Sequence, residues 1–194
     1  MAMVYPQVFM SVARLGLSVI IVVSDTHGRT DHRLDGRTAE AVREAELVIH
    51  TGDFTTEAVL DAFEEEPTTL RAVYGNNDPK ALRERLPATR TIDLGDEGFD
   101  SDARIALCHG HEHDETSLGL FGRQEGARIV VSGHSHRPGV TEAGNLTLVN
   151  PGSHADPRWN RPAHAELDVI DGGGLDGRLC EPDGTVFETF SVEP

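Results

Sequence analysis

The chain has 194 residues, enough for one domain with a substantial core and short for two. Its 33 acidic residues against 17 lysines and arginines leave a net charge of −16, which opposes general binding to nucleic acid phosphates. No apolar run reaches the length of a membrane span, and two cysteines, Cys108 and Cys180, with no CxxC spacing exclude a disulfide framework.

Lys80 is the only lysine, so the positive charge is almost all arginine. An acidic, lysine-poor surface stays hydrated where salt screens charge strongly, and a halophilic source is the expectation. Stability that rises from low to multimolar KCl is the expected result, and full stability in dilute buffer counts against it. Residues 1–16 read as a loose extension or an over-called start, since Met10 offers a second initiation site and no small-residue cleavage site follows. A single domain over residues 17–194 in the cytoplasm is expected.

The first element is a β-branched run, Ser18–Val23, with the length and flanks of a buried strand. It leads into Asp25-Thr26-His27-Gly28, where an Asp and a His at i and i+2 on extended backbone would point the same way. Residues 35–46 have helix-forming composition, and Leu47–His50 is a short strand ending in Thr51-Gly52-Asp53-Phe54. A helix over 55–63 with a threonine start precedes an acidic turn, and a strand over 70–74 ends in Gly75-Asn76-Asn77-Asp78. This alternation predicts an α/β fold with parallel strands. Further strands are expected at 91–94, 104–108 and 129–132, with a short helix over 118–125. The run at 104–108 meets His109-Gly110-His111, and that at 129–132 meets Gly133-His134-Ser135-His136. Short strands at 146–149, 165–170, 174–180 and 185–190 suggest a second sheet packed on the first. Cys108, at the end of an apolar run, reads as a core residue.

Five strand-like runs thus each end in residues able to hold a metal: Asp25/His27, Asp53, Asn76, His109 and His134/His136. In parallel α/β sheets these carboxyl ends meet along one edge, where ligands bind. Any one cluster is an ordinary turn; five at successive strand ends are a pattern. Imidazole, carboxylate and amide oxygen without thiolate suit Mn²⁺, Fe²⁺, Ni²⁺ or Zn²⁺.

In this order, Asp25-x-His27, Gly52-Asp53, Gly75-Asn76-x-Asp78, His109-Gly110-His111 and Gly133-His134-x-His136 resemble the motif set of the calcineurin-like metallophosphoesterases. The resemblance is to the small prokaryotic phosphodiesterase branch, which includes the retromer subunit of the Vps29 type, and Asn150-Pro151-Gly152-Ser153 resembles a motif of that branch. It implies a four-layer αββα sandwich, two mixed sheets packed face to face and flanked by helices. It implies two divalent ions, Mn²⁺ foremost, with Asp25, His27 and His136 on the first, Asn76, His109 and His134 on the second, and Asp53 bridging. The implied activity is hydrolysis of a small phosphodiester by in-line attack of a metal-bridging hydroxide, with Asp53, Asn76, Asn77 and Asp78 as the catalytic set. In the family resembled, the usual motif continues with a His that protonates the leaving group or steadies the phosphate. Asn77 stands there and cannot donate a proton as an acid. His111, His113 and His32 are the candidates to replace it, Asp78 is expected to orient a ligand or close a turn, and Arg137, and more weakly Arg29, to contact substrate phosphate. A Vps29-like protein-binding scaffold and a phosphomonoesterase are the rival readings. No membrane partner is expected, and a homo-oligomer is compatible with the sequence. The pocket walls were expected around Phe54, Phe121 and Trp159.

Overall fold

The computed structural model describes residues 20–66 and 68–194. The extension over 1–16, the alternative start at Met10, the first two residues of the strand expected at 18–23 and Pro67 of the acidic turn lie outside the described residues.

The elements are β1 (Ile20–Val23), α1 (Gly36–Glu44), β2 (Leu47–His50), α2 (Glu57–Glu64), β3 (Thr69–Ala72), α3 (Lys80–Arg85), β4 (Thr89–Asp93), β5 (Arg104–Cys108), α4 (Glu115–Gln124), β6 (Ile129–Val131), β7 (Gly139–Ala143), β8 (Leu146–Asn150), β9 (His164–Val169), β10 (Leu175–Cys180) and β11 (Val186–Val192). They form two mixed sheets, ordered β11-β10-β9-β1-β2-β3 and β4-β5-β6-β8-β7. The tail strands β9 to β11 therefore extend the first sheet through an antiparallel β1–β9 pairing, and do not build the second as their position in the chain suggested. The second sheet comes from the middle of the chain, with β5, β6 and β8 parallel.

Period-two alternation explains the layers. Ile20 and Val22 of β1 face the second sheet and pack with Leu47, Ile105, Leu107 and Val131, whereas Ile21 and Val23 face outward against Val42, Val59, Leu60 and Phe63 of the α1–α2 layer. A third cluster, with Ala106, Cys108 and Val130, packs the other sheet on Leu118 of α4. Both faces of each sheet are thus covered, which is why the central strands read as unbroken apolar runs.

Several boundaries moved for local reasons. Thr56, rather than Thr55, caps α2, its hydroxyl accepting from the Val59 N–H at 3.4 Å. The α4 helix begins earlier than its apolar pattern, because Asp114 and Ser117 close a reciprocal capping box. Two elements were not anticipated. α3 has six residues and buries only Leu82, and β7 is a polar edge strand joined to β8 through Gly144-Asn145. That dipeptide is a recognised hairpin signal and marked the strand in the sequence.

Candidate metal centre

The ends of β1, β2, β3, β5 and β6 converge on one edge, and the loops that follow bring the sequence-predicted donors together. Asp53 stands in the middle: its Oδ2 lies 3.3 Å from His27 Nε2 and 3.3 Å from His109 Nε2. Asp25 Oδ1 lies 3.4 Å from His136 Nε2, 3.9 Å from His109 Nε2 and 4.0 Å from His27 Nε2. Asn76 Oδ1 is 3.0 Å from His109 Nε2. His134 is more exposed; its backbone N–H donates to Asp25 Oδ2 at 2.9 Å and its ring centroid lies 5.3 Å from that of His109.

The expected extended backbone at Asp25-x-His27 is not found. Both residues lie beyond β1 in the left-handed region, at φ 52° and 45°, and Asp53, His134 and His136 adopt the same conformation at 61°, 67° and 56°. Convergence comes from these turns, not from strand alternation. Asp and His are among the non-glycine residues that tolerate this region best, and such outliers collect at ligand sites.

Proton inventory shows that the site fits cations. His109 Nδ1–H donates to the Thr51 carbonyl at 2.7 Å, and His136 Nδ1–H donates to the Asp156 carbonyl. A carbonyl only accepts, so in the neutral ring each Nε2 carries a lone pair. Those lone pairs face the carboxylate oxygens of Asp53 and Asp25 and the amide oxygen of Asn76. Acceptors facing acceptors repel unless a cation lies between them or the rings take up second protons. Buried Asp25 Oδ1, His27 Nε2 and His136 Nε2 have no hydrogen-bond partner among the described residues. Without metal the charge balance falls on protons. Burial lowers the affinity of His27 and His109 for a proton, but the Asp53 carboxylate overrides this and raises both. Asp53 itself is held well below the usual carboxylate range, its burial outweighed by the His109 and His27 rings drawn against it and by the hydrogen bonds from Asn77. Burial raises Asp25 instead, opposed by His109, and lowers His134, with His109 adding to it.

The residues after the third strand are supports. Asn77 donates to Asp53 through its backbone N–H at 2.8 Å and its side-chain amide at 2.6 Å. Asp78 accepts from the N–H groups of Asp53, Gly75 and Thr55 at 3.0, 2.7 and 2.7 Å, tying the second loop to the third. His111 is exposed on the His109 side, ring centroid 5.5 Å away, and Arg137 is exposed beside His136. Of the other acid candidates, His32 is held by Glu66 at 3.0 Å and its backbone carbonyl accepts from His154. Phe54 is no pocket wall: it is fully buried and stacks on His50 at 3.7 Å, while Phe121 packs at the α4 core and Trp159 is 99% exposed.

Other supports were missed. His50 accepts from the Gly52 N–H and donates from Nε2 to Thr26, joining the first two loops from beneath. Ser24 donates to Asp25 Oδ2 at 2.7 Å, and Ser153 to the Asp25 carbonyl at 2.7 Å. A polar His closing the apolar run Leu47–His50 was the available signal for the first; the serines carried none. A second group, His164, Glu166 and Cys180, also lies close together. Both oxygens of Glu166 already accept from Arg37, and Arg178 also donates to it, while burial pushes the Cys180 thiol up to about 11, so this group is an ion-pair anchor for α1.

His50 and His154 make the fold acid-sensitive. Burial holds both neutral, lowering His154 to about 4 and His50 well below its ordinary value. Each takes up its proton on unfolding, so their stabilisation is complete above the unfolded value of about 6.5 and is lost as the pH falls toward the folded one. Between pH 7 and 5, urea unfolding of EDTA-treated protein should show wild type losing about 2 kcal/mol more than His154→Gln. Equal losses would remove the assignment.

Comparison with known proteins gives the family. Residues 19–172 match the calcineurin-like phosphoesterase superfamily domain. A probable metallophosphoesterase of Methanothermobacter thermautotrophicus is 32% identical over 177 residues, covering 89% of this chain and 98% of that protein. A phosphodiesterase of Methanocaldococcus jannaschii is 29% identical over 143 residues, covering 68% of this chain and 81% of that protein. The crystal structure of Chaetomium thermophilum Vps29 superposes with a TM-score of 0.70 at 18% identity, covering 90% of this chain and 97% of that one, a likeness of fold. With a matching domain over residues 19–172 and a relative 32% identical over most of both chains, the chain belongs to the calcineurin-like phosphoesterase superfamily.

Proposed function

We propose that the protein is a dinuclear metal-dependent phosphodiesterase acting on a small substrate. The observation that carries this is the position of Asp53 Oδ2, equally 3.3 Å from His27 and His109, one from each predicted ligand set. Asp25, His27 and His136 would hold one ion, Asn76, His109 and His134 the other, and Asp53 both. Two divalent ions, Mn²⁺ first among them, would supply Lewis acidity and an acidified water. The chain's own part is positional. Asn77 and Asp78 fix the carboxylate and backbone of Asp53, and the carbonyls of Thr51 and Asp156 select the ring tautomers of His109 and His136.

Asn77 gives no acid assistance, typically a factor of about 10²–10⁴, so a readily departing leaving group is favoured. Charge favours a diester: a monoester dianion is repelled more than a diester monoanion by a chain of charge −16. The jannaschii relative's name points the same way. The Vps29-like scaffold reading rests on fold likeness, and retention of all seven donors weighs against it.

With added Mn²⁺, the purified protein should release nitrophenolate from bis-p-nitrophenyl phosphate faster than from p-nitrophenyl phosphate, and EDTA should stop it. Silence with Mn²⁺, Fe²⁺, Ni²⁺ and Zn²⁺ alike would overturn the reading.

A further inference from the structure

A cavity of about 700 Å³ opens beside His134, between β7 at the edge of one sheet and β11 at the edge of the other. Its volume is that of a small-molecule site. Its walls have a definite chemistry. Leu118, Val140 and Leu148 give an apolar face. Arg137 lies at the His134 end, and Glu115 and Glu188 also line it. Among the described residues none of these three charged side chains has an ion pair or hydrogen bond. His113 lines the same space, with Nδ1 buried and unpartnered. Among the described residues no Phe, Tyr or Trp does.

We propose that this cavity receives one ester arm of the substrate, and that the arm is a sugar-sized polyol. The inference rests on the phosphodiesterase reading. Arg137, next to His136, suits a non-bridging phosphate oxygen. Two carboxylates repel a second phosphate and accept from hydroxyl groups. The apolar side chains of the same walls match the C–H face of a pyranose ring. A nucleoside would find no aromatic platform for its base, and a quaternary ammonium no aromatic cage. The volume exceeds the need of a methyl or ethyl arm.

Substrates with a common nitrophenolate leaving group isolate the arm. Wild type with Mn²⁺ should turn over glucose 6-(p-nitrophenyl phosphate) with a kcat/KM about tenfold above methyl p-nitrophenyl phosphate, since a site built for hydroxyls rejects analogues lacking them. The 2-aminoethyl and thymidine 5′ analogues should not exceed the methyl ester. Glu188→Gln should bring the glucosyl-to-methyl ratio toward one. Equal glucosyl and methyl rates, or preference for the aminoethyl or thymidine ester, would overturn the proposal. Calorimetric titration of the Mn²⁺-loaded protein with glucose 6-phosphate and methyl phosphate reads the cavity without turnover. Tighter glucose 6-phosphate binding that Glu188→Gln abolishes would uphold the polyol site even if no ester were hydrolysed, and equal binding would reject it even in an active enzyme.

Discussion

Asp53→Asn should cost the protein both metal ions and at least about 10²-fold in turnover of bis-p-nitrophenyl phosphate, beyond the upper end seen for a residue that merely orients a ligand. The reason is geometric. Among the described residues, Asp53 Oδ2 is the one donor atom within 3.3 Å of a histidine from each set. An amide offers one neutral oxygen where the carboxylate offers two charged ones, and its NH₂ would turn a donor toward His27 or His109. His27→Ala should act differently, since His27 touches only the first set together with Asp25 and Asp53; one ion should go and the other stay. Metal content by plasma mass spectrometry separates the cases: near zero for Asp53→Asn, near one for His27→Ala. Two ions retained in Asp53→Asn would refute the bridging assignment. Folding is checked in the same samples, because Asn77 keeps a backbone N–H toward residue 53 and Asp78 still binds its main chain.

Gly133→Ala should damage the same centre without altering any donor. A Cβ on residue 133 would overlap Ser24 Oγ and stand 2.5 Å from Asp25 Oδ2. Gly75 is built alike, its Cβ position overlapping Asp53 Oδ1 and 2.5 Å from the Asp53 nitrogen. In both, the glycine lets one loop's backbone lie against another loop's carboxylate, so the motifs pair a donor with the space for its neighbour. Asp25 cannot withdraw freely, since Ser24, Ser153 and the His134 N–H all hold it. The alanine should cost about 1–3 kcal/mol in denaturant unfolding, with metal affinity weakened about 10–100-fold as Asp25 is turned aside. Gly119→Ala is the control. It sits in α4 with no atom closer than 3.6 Å to the added methyl, and should stabilise by about 1 kcal/mol. Unchanged metal affinity in Gly133→Ala would show that the loops yield.

Much of this was legible before any coordinates. β2 and β5 were bounded correctly because their residues, Arg104 aside, are buried on both faces and the apolar runs end abruptly at a histidine, His50 and His109. The seven residues expected as donors could be named because each follows an apolar run. What could not be read is whatever depends on which strands become neighbours. Placing β9 against β1 needs a contact 145 residues apart, as in the Ile21–Glu166 pair, and nothing local in His164–Val169 specifies it. Ser153 and the carbonyl of Asp156 acquire their roles only through contacts between distant segments. The left-handed backbone at the ligands was hidden for another reason. Asp and His are ordinary in strands, turns and cores alike, whereas glycine would have announced the conformation.

Those five left-handed residues have an evolutionary consequence. Each non-glycine side chain in that region costs about 1 kcal/mol or more, and five together are comparable with the lower end of a domain's whole stability, about 5–15 kcal/mol. Glycine would relax every one of them and erase a donor at the same stroke. A population selected for heat resistance in metal-free medium should therefore drift first at Asp25, His27, Asp53, His134 and His136, becoming sturdier as it becomes inert.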